Sequence, residues 1–304
     1  MVKETQSARW HFFMPLVFIS LYGSGFVGAK LGLPYAQPLT FLVLRFACTA
    51  LLLLLMVFLW HSPWPRKLNE LAHIMVAGLL MLGVFSAGVF VAINCGISPS
   101  ISALIIALQP ILVGLGAGPI LGEKIRVQQW AGLLLGLLGV FLVVSHKLTF
   151  SHMDMVGLAM NFLGLLGLTA GNLYQKRFCA DMNIFSGGLI QSLTAGVAVF
   201  IAALIFESMQ IVWNGQFIFA LAWMSIVVSF GALSVLYLLI RHGEATRVAS
   251  LFYLVPVSTS LFAYFVYNET IDKFTIGGII IIALGIMLVQ KRALFKKSRL
   301  VEEL

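Results

Sequence analysis

Ten apolar blocks, each long enough to cross a bilayer and joined by short polar connections, constrain this chain more than any other feature. A transmembrane helix needs about 20 consecutive apolar residues. Punctuated by charge, Pro, Asn and Gly, the blocks fall near 12–32, 38–60, 73–95, 99–121, 127–146, 154–176, 184–207, 216–240, 247–267 and 274–291. Of the 304 residues 61% are hydrophobic and only 10% charged. A soluble domain carries about 25% charged residues, so water is a poor solvent for this surface and lipid a good one. In hydrocarbon each backbone polar group must be satisfied within its own segment, which leaves helices as the simplest way across. The sequence predicts an all-α integral membrane protein with ten transmembrane helices and no soluble domain.

Charge sets the expected orientation. Of the 19 Lys and Arg, only Lys30, Lys147 and Lys273 fall on one side of a ten-span layout. Arg45 lies within a span, and the rest share the other side. The positive-inside rule makes that basic side cytoplasmic, with both termini there. The net charge of +8 reads as topology and not as a nucleic-acid surface. The first block lacks a small-residue cleavage site and matches a later helix, so it reads as a retained span. Cys48, Cys95 and Cys179 show no metal-ligand spacing and read as unpaired structural thiols.

The second half repeats the first. Adding 146 to a position lands on its counterpart without gaps: Pro110 on Pro256, Glu123 on Glu269, Ile125 on Ile271, Gly132 on Gly278 and Gly139 on Gly285. Gly25 maps on Gly171 and Lys30 on Lys176. Five spans is an odd number, so the second copy enters from the opposite side. The expected organisation is two inverted five-helix repeats, 1–147 and 148–304, an architecture associated with secondary transporters.

Leu-Arg-Phe at 44–46, Leu-Gln-Pro at 108–110 and Leu-Gly-Glu-Lys at 121–124 precede a glycine-rich helix. Leu-Val-Pro at 254–256 and Tyr-Asn-Glu-Thr at 267–270 echo them. In these residues, their order and their duplication, the chain resembles the EamA family of the drug/metabolite transporter superfamily over nearly its whole length. The resemblance implies ten helices, export of amino acids, nucleosides or other metabolites, and a central cavity lined by helices 1, 3, 4, 6, 8 and 9. Tyr22 stands where the family's first helix usually has Trp.

Arg45 is the most informative single residue. It lies about 10 Å into the second span at 1.5 Å per residue, where an Arg costs about 2.5–3.5 kcal/mol on insertion scales and should face the protein interior. It either holds a substrate carboxylate or phosphate, or bonds backbone carbonyls or snorkels to the interface. Its repeat counterpart is the neutral Gln191. Pro110 and Pro256 fall mid-span in the fourth and ninth helices, where each removes a backbone hydrogen bond and bends the helix. They read as paired hinges or as static bends, with Gln109 beside the first. Glu123 and Glu269 end those helices, against the macrodipole. Lys124, Arg126 or capping of the next helix would offset that, and proton coupling is the sharper alternative. Gly132, Gly136, Gly139, Gly278 and Gly285 make smooth faces for close helix packing or for dimerisation, so a monomer and a homodimer both stand. Gly28 with Gly32, and Gly167 with Gly171, form further small-residue pairs.

Polar and aromatic side chains within spans are Tyr22, Ser24, Ser86, Asn94, Asn161, Asn172, Tyr174, Ser234, Tyr237 and Tyr253. Each is a cavity candidate or a helix-to-helix hydrogen bond. The substrate-binding set taken forward is Tyr22, Ser24, Arg45, Ser86, Gln109, Asn172, Tyr237 and Tyr253, with Pro110 and Pro256 as hinges. Trp10, Trp60, Trp64, Trp130 and Trp213 fall at interfaces, as an aromatic belt.

No Asp, Glu or His lies near the centre of a span. A proton-for-cationic-drug exchange on a midplane carboxylate is therefore disfavoured, and an apolar, aromatic or zwitterionic solute suits better. No P-loop, zinc-protease or nucleophile-elbow motif is present, so no cofactor, metal or catalytic residue is expected. The reading is a secondary transporter, an exporter of small organic metabolites, with lipid as its other partner, in a bacterial cytoplasmic membrane. The alternatives are a non-transporting sensor or lipid-modifying enzyme, with His146, His152 and Asp154 as the loose candidates, or a channel.

Overall fold

A computed structural model describes residues 2–145, 154–267 and 273–302. Among them ten helices are long and apolar enough to cross a membrane. They are span 1 (Phe13–Gly32), span 2 (Pro38–Leu59), span 3 (Leu68–Asn94), span 4 (Pro99–Leu121), span 5 (Val127–Ser145), span 6 (Met155–Phe178), span 7 (Ile184–Phe206), span 8 (Gly215–His242), span 9 (Ala245–Phe262) and span 10 (Lys273–Gln290). The chain is an all-α membrane protein built as two inverted five-helix repeats. Local chemistry starts several of the helices. Pro38 and Pro99 open spans 2 and 4, where proline costs no hydrogen bond. Asp154, Asn183 and Asn214 cap spans 6, 7 and 8 through their side-chain oxygens.

The main packing pairs join one half to the other: span 1 with 8 and 9, 2 with 7, 3 with 6 and 7, 4 with 6 and 9, and 5 with 10. The pairing of spans 5 and 10 shows the inversion directly. A Cβ on Gly132 would stand 2.6 Å from the Gly285 carbonyl oxygen, and one on Gly285 2.7 Å from that of Gly132. Gly139 and Gly278 meet in the same reciprocal way, at 2.8 and 2.6 Å. Because Gly132 corresponds to Gly278 and Gly139 to Gly285, residue i of one copy touches j of the other and j touches i. That is the signature of a two-fold relation. The order of contacts makes the two helices antiparallel.

Four spans are interrupted. Spans 3 and 8 widen into π-helical turns at Leu79–Val84 and Trp223–Ala232, which overlap under the 146-residue offset. Span 4 breaks at a turn over Ala107 and Leu108, and span 9 tightens to a 3-10 turn at Leu251–Leu254. Pro110 and Pro256 follow these last two turns directly. Each sits in the first turn of a new segment, Gln109–Leu121 and Val255–Tyr267, where a missing N–H leaves no intrahelical bond unmade.

The expectation for Glu123 is also sharpened. Neither basic neighbour nor the next helix offsets it. Its carboxylate accepts the Ala245 amide at 2.8 Å and the Thr246 hydroxyl at 3.4 Å, so it caps span 9 in the other repeat. Glu269, His146 and His152 lie outside the described residues, as does the side chain of Trp10. Asp154 is the span 6 cap, accepting the Val156 amide. Trp60, Trp64 and Trp213 are all more than half exposed.

Enlarging Gly132 should therefore cost more than enlarging a glycine that faces open space. Gly132→Leu forces helix 5 off helix 10, a loss of about 1–3 kcal/mol by overpacking. Gly277, with nothing within 4 Å of an added Cβ, should accept Ala without loss. Thermal unfolding in detergent should show a clear fall in Tm for the first and none for the second.

Candidate functional site

Call the end at which span 1 finishes the upper end. Between spans 1, 2, 3 and 8 lies a narrow cavity of about 40 Å³. Tyr22, Gly25 and Phe26 of span 1 form one wall, Arg45 of span 2 another. Met81, Leu82, Phe85 and Ser86 of span 3 and Met224 and Val228 of span 8 complete it. Met81, Leu82, Met224 and Val228 all belong to the π-helical turns, a feature frequent at functional sites. Of the lining set implied by resemblance, spans 1, 3 and 8 contribute. Spans 4, 6 and 9 do not line this cavity, and span 2 does.

Aromatic side chains bound the cavity on both sides. Above it Phe41 meets Phe90 and Phe217 at centroid distances of 5.5 and 5.4 Å. Below it Phe252 meets Phe18 at 5.3 Å and Tyr22 at 5.2 Å, and Tyr22 stacks over Phe85 at 6.3 Å. Phe18, Phe41, Phe217 and Phe252 are completely buried.

Arg45 is 5% exposed. Its Nε donates to the Ser229 hydroxyl at 2.7 Å, and its guanidinium carbon lies 5.7 and 5.9 Å from the ring centres of Phe46 and Phe90. Cation–π contacts of this kind contribute about 0.5–2 kcal/mol each, comparable with the cost of inserting the charge. No ion pair of Arg45 occurs among the described residues, and its terminal nitrogens Nη1 and Nη2 make no hydrogen bond there. The Tyr22 hydroxyl is also buried without a partner.

The other candidates occupy helix seams. The Ser24 hydroxyl donates to the Leu21 carbonyl at 2.6 Å and accepts from Trp223 Nε1 at 2.9 Å, joining spans 1 and 8. Tyr237 donates to Gln191 Oε1 at 2.5 Å, and Gln191 Nε2 donates to Gln175 Oε1 at 2.8 Å. Tyr253 donates to the Leu133 carbonyl at 2.7 Å, with its ring laid over Gly136. Gln109 and Asn172 are buried, and neither Gln109 amide atom nor Asn172 Oδ1 has a partner among the described residues. Ser102 donates to Asn161 at 3.1 Å, and Tyr174 pairs with His73 Nδ1 at 2.7 Å. A second and larger cleft, of about 380 Å³, lies at the lower end among Trp64, Glu70, Arg177 and Asp181.

Glu207 was missed by the reading of the sequence. It follows span 7 at the upper end, and its carboxylate accepts the Leu39 and Thr40 amides at 2.7 and 2.8 Å and the Thr40 hydroxyl at 2.7 Å. A negative charge on a helix N-terminus is favourable, and here it fastens span 2 above the cavity. The adjoining connections are fastened too: Val212 N donates to the Tyr35 carbonyl at 2.8 Å, Ser208 N to Gln37 Oε1 at 2.9 Å, and the Tyr35 hydroxyl to Gln216 Oε1. At the lower end Lys176 donates to the Ile240 carbonyl at 2.7 Å, and Arg177 to that of Ile120. Glu207→Ala removes three acceptor contacts at once. It should lower stability by about 0.5–2 kcal/mol, the range for a lost cap, and hydrogen exchange should accelerate at Leu39 and Thr40 while span 5 amides keep their protection.

Comparison with known proteins agrees with this architecture. The EamA-like transporter family matches residues 9–145 and again 149–290. The "Uncharacterized inner membrane transporter YedA" of Escherichia coli is 25% identical over 270 residues, 88% of this chain and 87% of the relative. The "Probable amino-acid metabolite efflux pump" of Escherichia coli is 23% identical over 282 residues, 90% and 92% of the two chains. A solved crystal structure superposes with a TM-score of 0.76 at 17% identity, covering 92% of this chain and 96% of the other, and supports the fold. With its ten spans, paired repeats and a family match across both halves, the chain belongs to the EamA-like transporter family and is a multi-pass membrane transporter.

Proposed function

We propose that this transporter is a secondary exporter of small organic metabolites, amino acids, nucleosides or related compounds, working by alternating access in a bacterial cytoplasmic membrane with both termini in the cytoplasm. The observation that carries the reading is the cavity at the interface of the halves, bounded above and below by separate aromatic layers. Each layer draws on both repeats: Phe41, beside Phe90, meets Phe217, and Phe18 and Tyr22, with Phe85 stacked on Tyr22, meet Phe252. Parting one layer while the other stays closed exposes the cavity to one side at a time. The irregular turns before Pro110 and Pro256 supply places for the second half-helices to swing. Ties at the upper end (Glu207 to span 2) and at the lower end (Glu123 to span 9) hold whichever side is closed. The name of the Escherichia coli efflux relative supports outward movement of an amino-acid-like solute.

Counterflow in proteoliposomes, screened across amino acids, nucleosides and methylated metabolites with and without a pH gradient, should give saturable exchange for at least one compound. Absence of flux with every one would sink the reading. Phe41→Cys with Phe217→Cys, in a chain whose free Cys48, Cys95 and Cys179 are replaced, should be bridged across the upper layer by a short, reducible bifunctional thiol reagent. The bridge should then arrest flux, and reduction should restore it.

A further inference from the structure

We propose that the cavity recognises its cargo by a carboxylate. Arg45 supplies the cationic fork and Tyr22 a second donor, and the cargo is a compact monocarboxylate with an apolar or aromatic body. The proposal rests on the transport reading above and names the substrate class of that same cavity.

The repeat provides an internal control. Gln191 occupies the position of Arg45 in the second half, and there the protein satisfies the side chain itself. Its oxygen accepts from Tyr237 and its nitrogen donates to Gln175. Arg45 is spent only through Nε, on Ser229. That single bond holds the guanidinium by one edge and leaves the terminal nitrogens unbonded among the described residues. Tyr22, 4% exposed, lines the same cavity with a hydroxyl that has no partner. A buried polar group is normally paired, and these two stand unpaired around one void.

Their chemistry defines the complement. A planar fork of parallel N–H donors fits the two oxygens of a carboxylate, and a phenol hydroxyl adds a third donor. One fixed positive charge balances one negative charge. A phosphate dianion would bring a second charge and a third acceptor oxygen into walls otherwise made of Phe26, Met81, Leu82, Phe85 and Met224, with Ser86 as the one further hydroxyl. Those walls suit an apolar body.

Binding to the full-length detergent-solubilised protein tests this without any need for flux. The probes are 3-phenylpropionate, 4-methylpentanoate and 4-methyl-2-oxopentanoate, each beside its neutral primary amide, which keeps the body and removes the charge. At least one acid should bind about tenfold or more tightly than its amide, as expected for a charge-assisted bidentate pair. Arg45→Gln, which copies the second repeat, should erase that preference. Tyr22→Phe, which keeps the ring, should weaken the acid by about threefold to tenfold and leave the amide unchanged. Equal binding of acid and amide, no binding of any acid, or acid preference surviving in a folded Arg45→Gln protein would each overturn the proposal. If Arg45→Gln does not fold, the wild-type acid-to-amide ratio and Tyr22→Phe decide. Counterflow of a neutral nucleoside by a protein that binds none of the acids would overturn the carboxylate and leave the transport reading standing. Acid-selective binding with no counterflow would do the reverse.

Discussion

A backbone surrounded by hydrocarbon has no water to bond with, and the fold is organised around that constraint. Within the spans the helices satisfy themselves. At their ends the first amides and last carbonyls need partners, and this protein takes several of them from the opposite repeat. Glu207 of the second half closes the amides of span 2, and Glu123 of the first half closes those of span 9. Arg177 reaches across to the last turn of span 4. The groups that finish each helix thus also fasten the two halves, at opposite ends of the bundle.

The same constraint makes the interior informative. Where two glycine faces meet, as in spans 5 and 10, backbone approaches backbone and no cavity remains. Where the copies have diverged, space and unpaired polarity appear together. The Gln191 site is filled by its own hydrogen-bonded neighbours, whereas the Arg45 site opens on a void. A pseudo-symmetric scaffold therefore holds an asymmetric pocket, displaced from the two-fold relation toward spans 1, 2, 3 and 8.

Much of the architecture was legible before any coordinates. Hydrophobic length marked the ten spans, and the 146-residue offset marked the inversion, because both are local and periodic signals. The burial of Arg45 followed from the cost of its charge. Other parts were not legible. Glu207 looked like an ordinary acid after an apolar block, and only its contact with residues 167 and 168 positions earlier shows it to be the cap of span 2. Ser24, Tyr237 and Tyr253 share their composition with Tyr22 and Ser86. Nothing local distinguishes a hydroxyl that faces a seam from one that faces a cavity. A mid-span Pro in sequence likewise does not say whether the helix bends through it or restarts at it.

The sequence by itself determined the solvent, the number of the helices and their duplication, since hydrophobicity and spacing act within one segment at a time. The tertiary structure decided which polar side chains are consumed by the protein and which are left facing space. That decision depends on partners more than a hundred residues away, as Arg45 finds Ser229 and Tyr253 finds Leu133. Such pairings are set by how helices cross, which the order of residues along one helix does not encode.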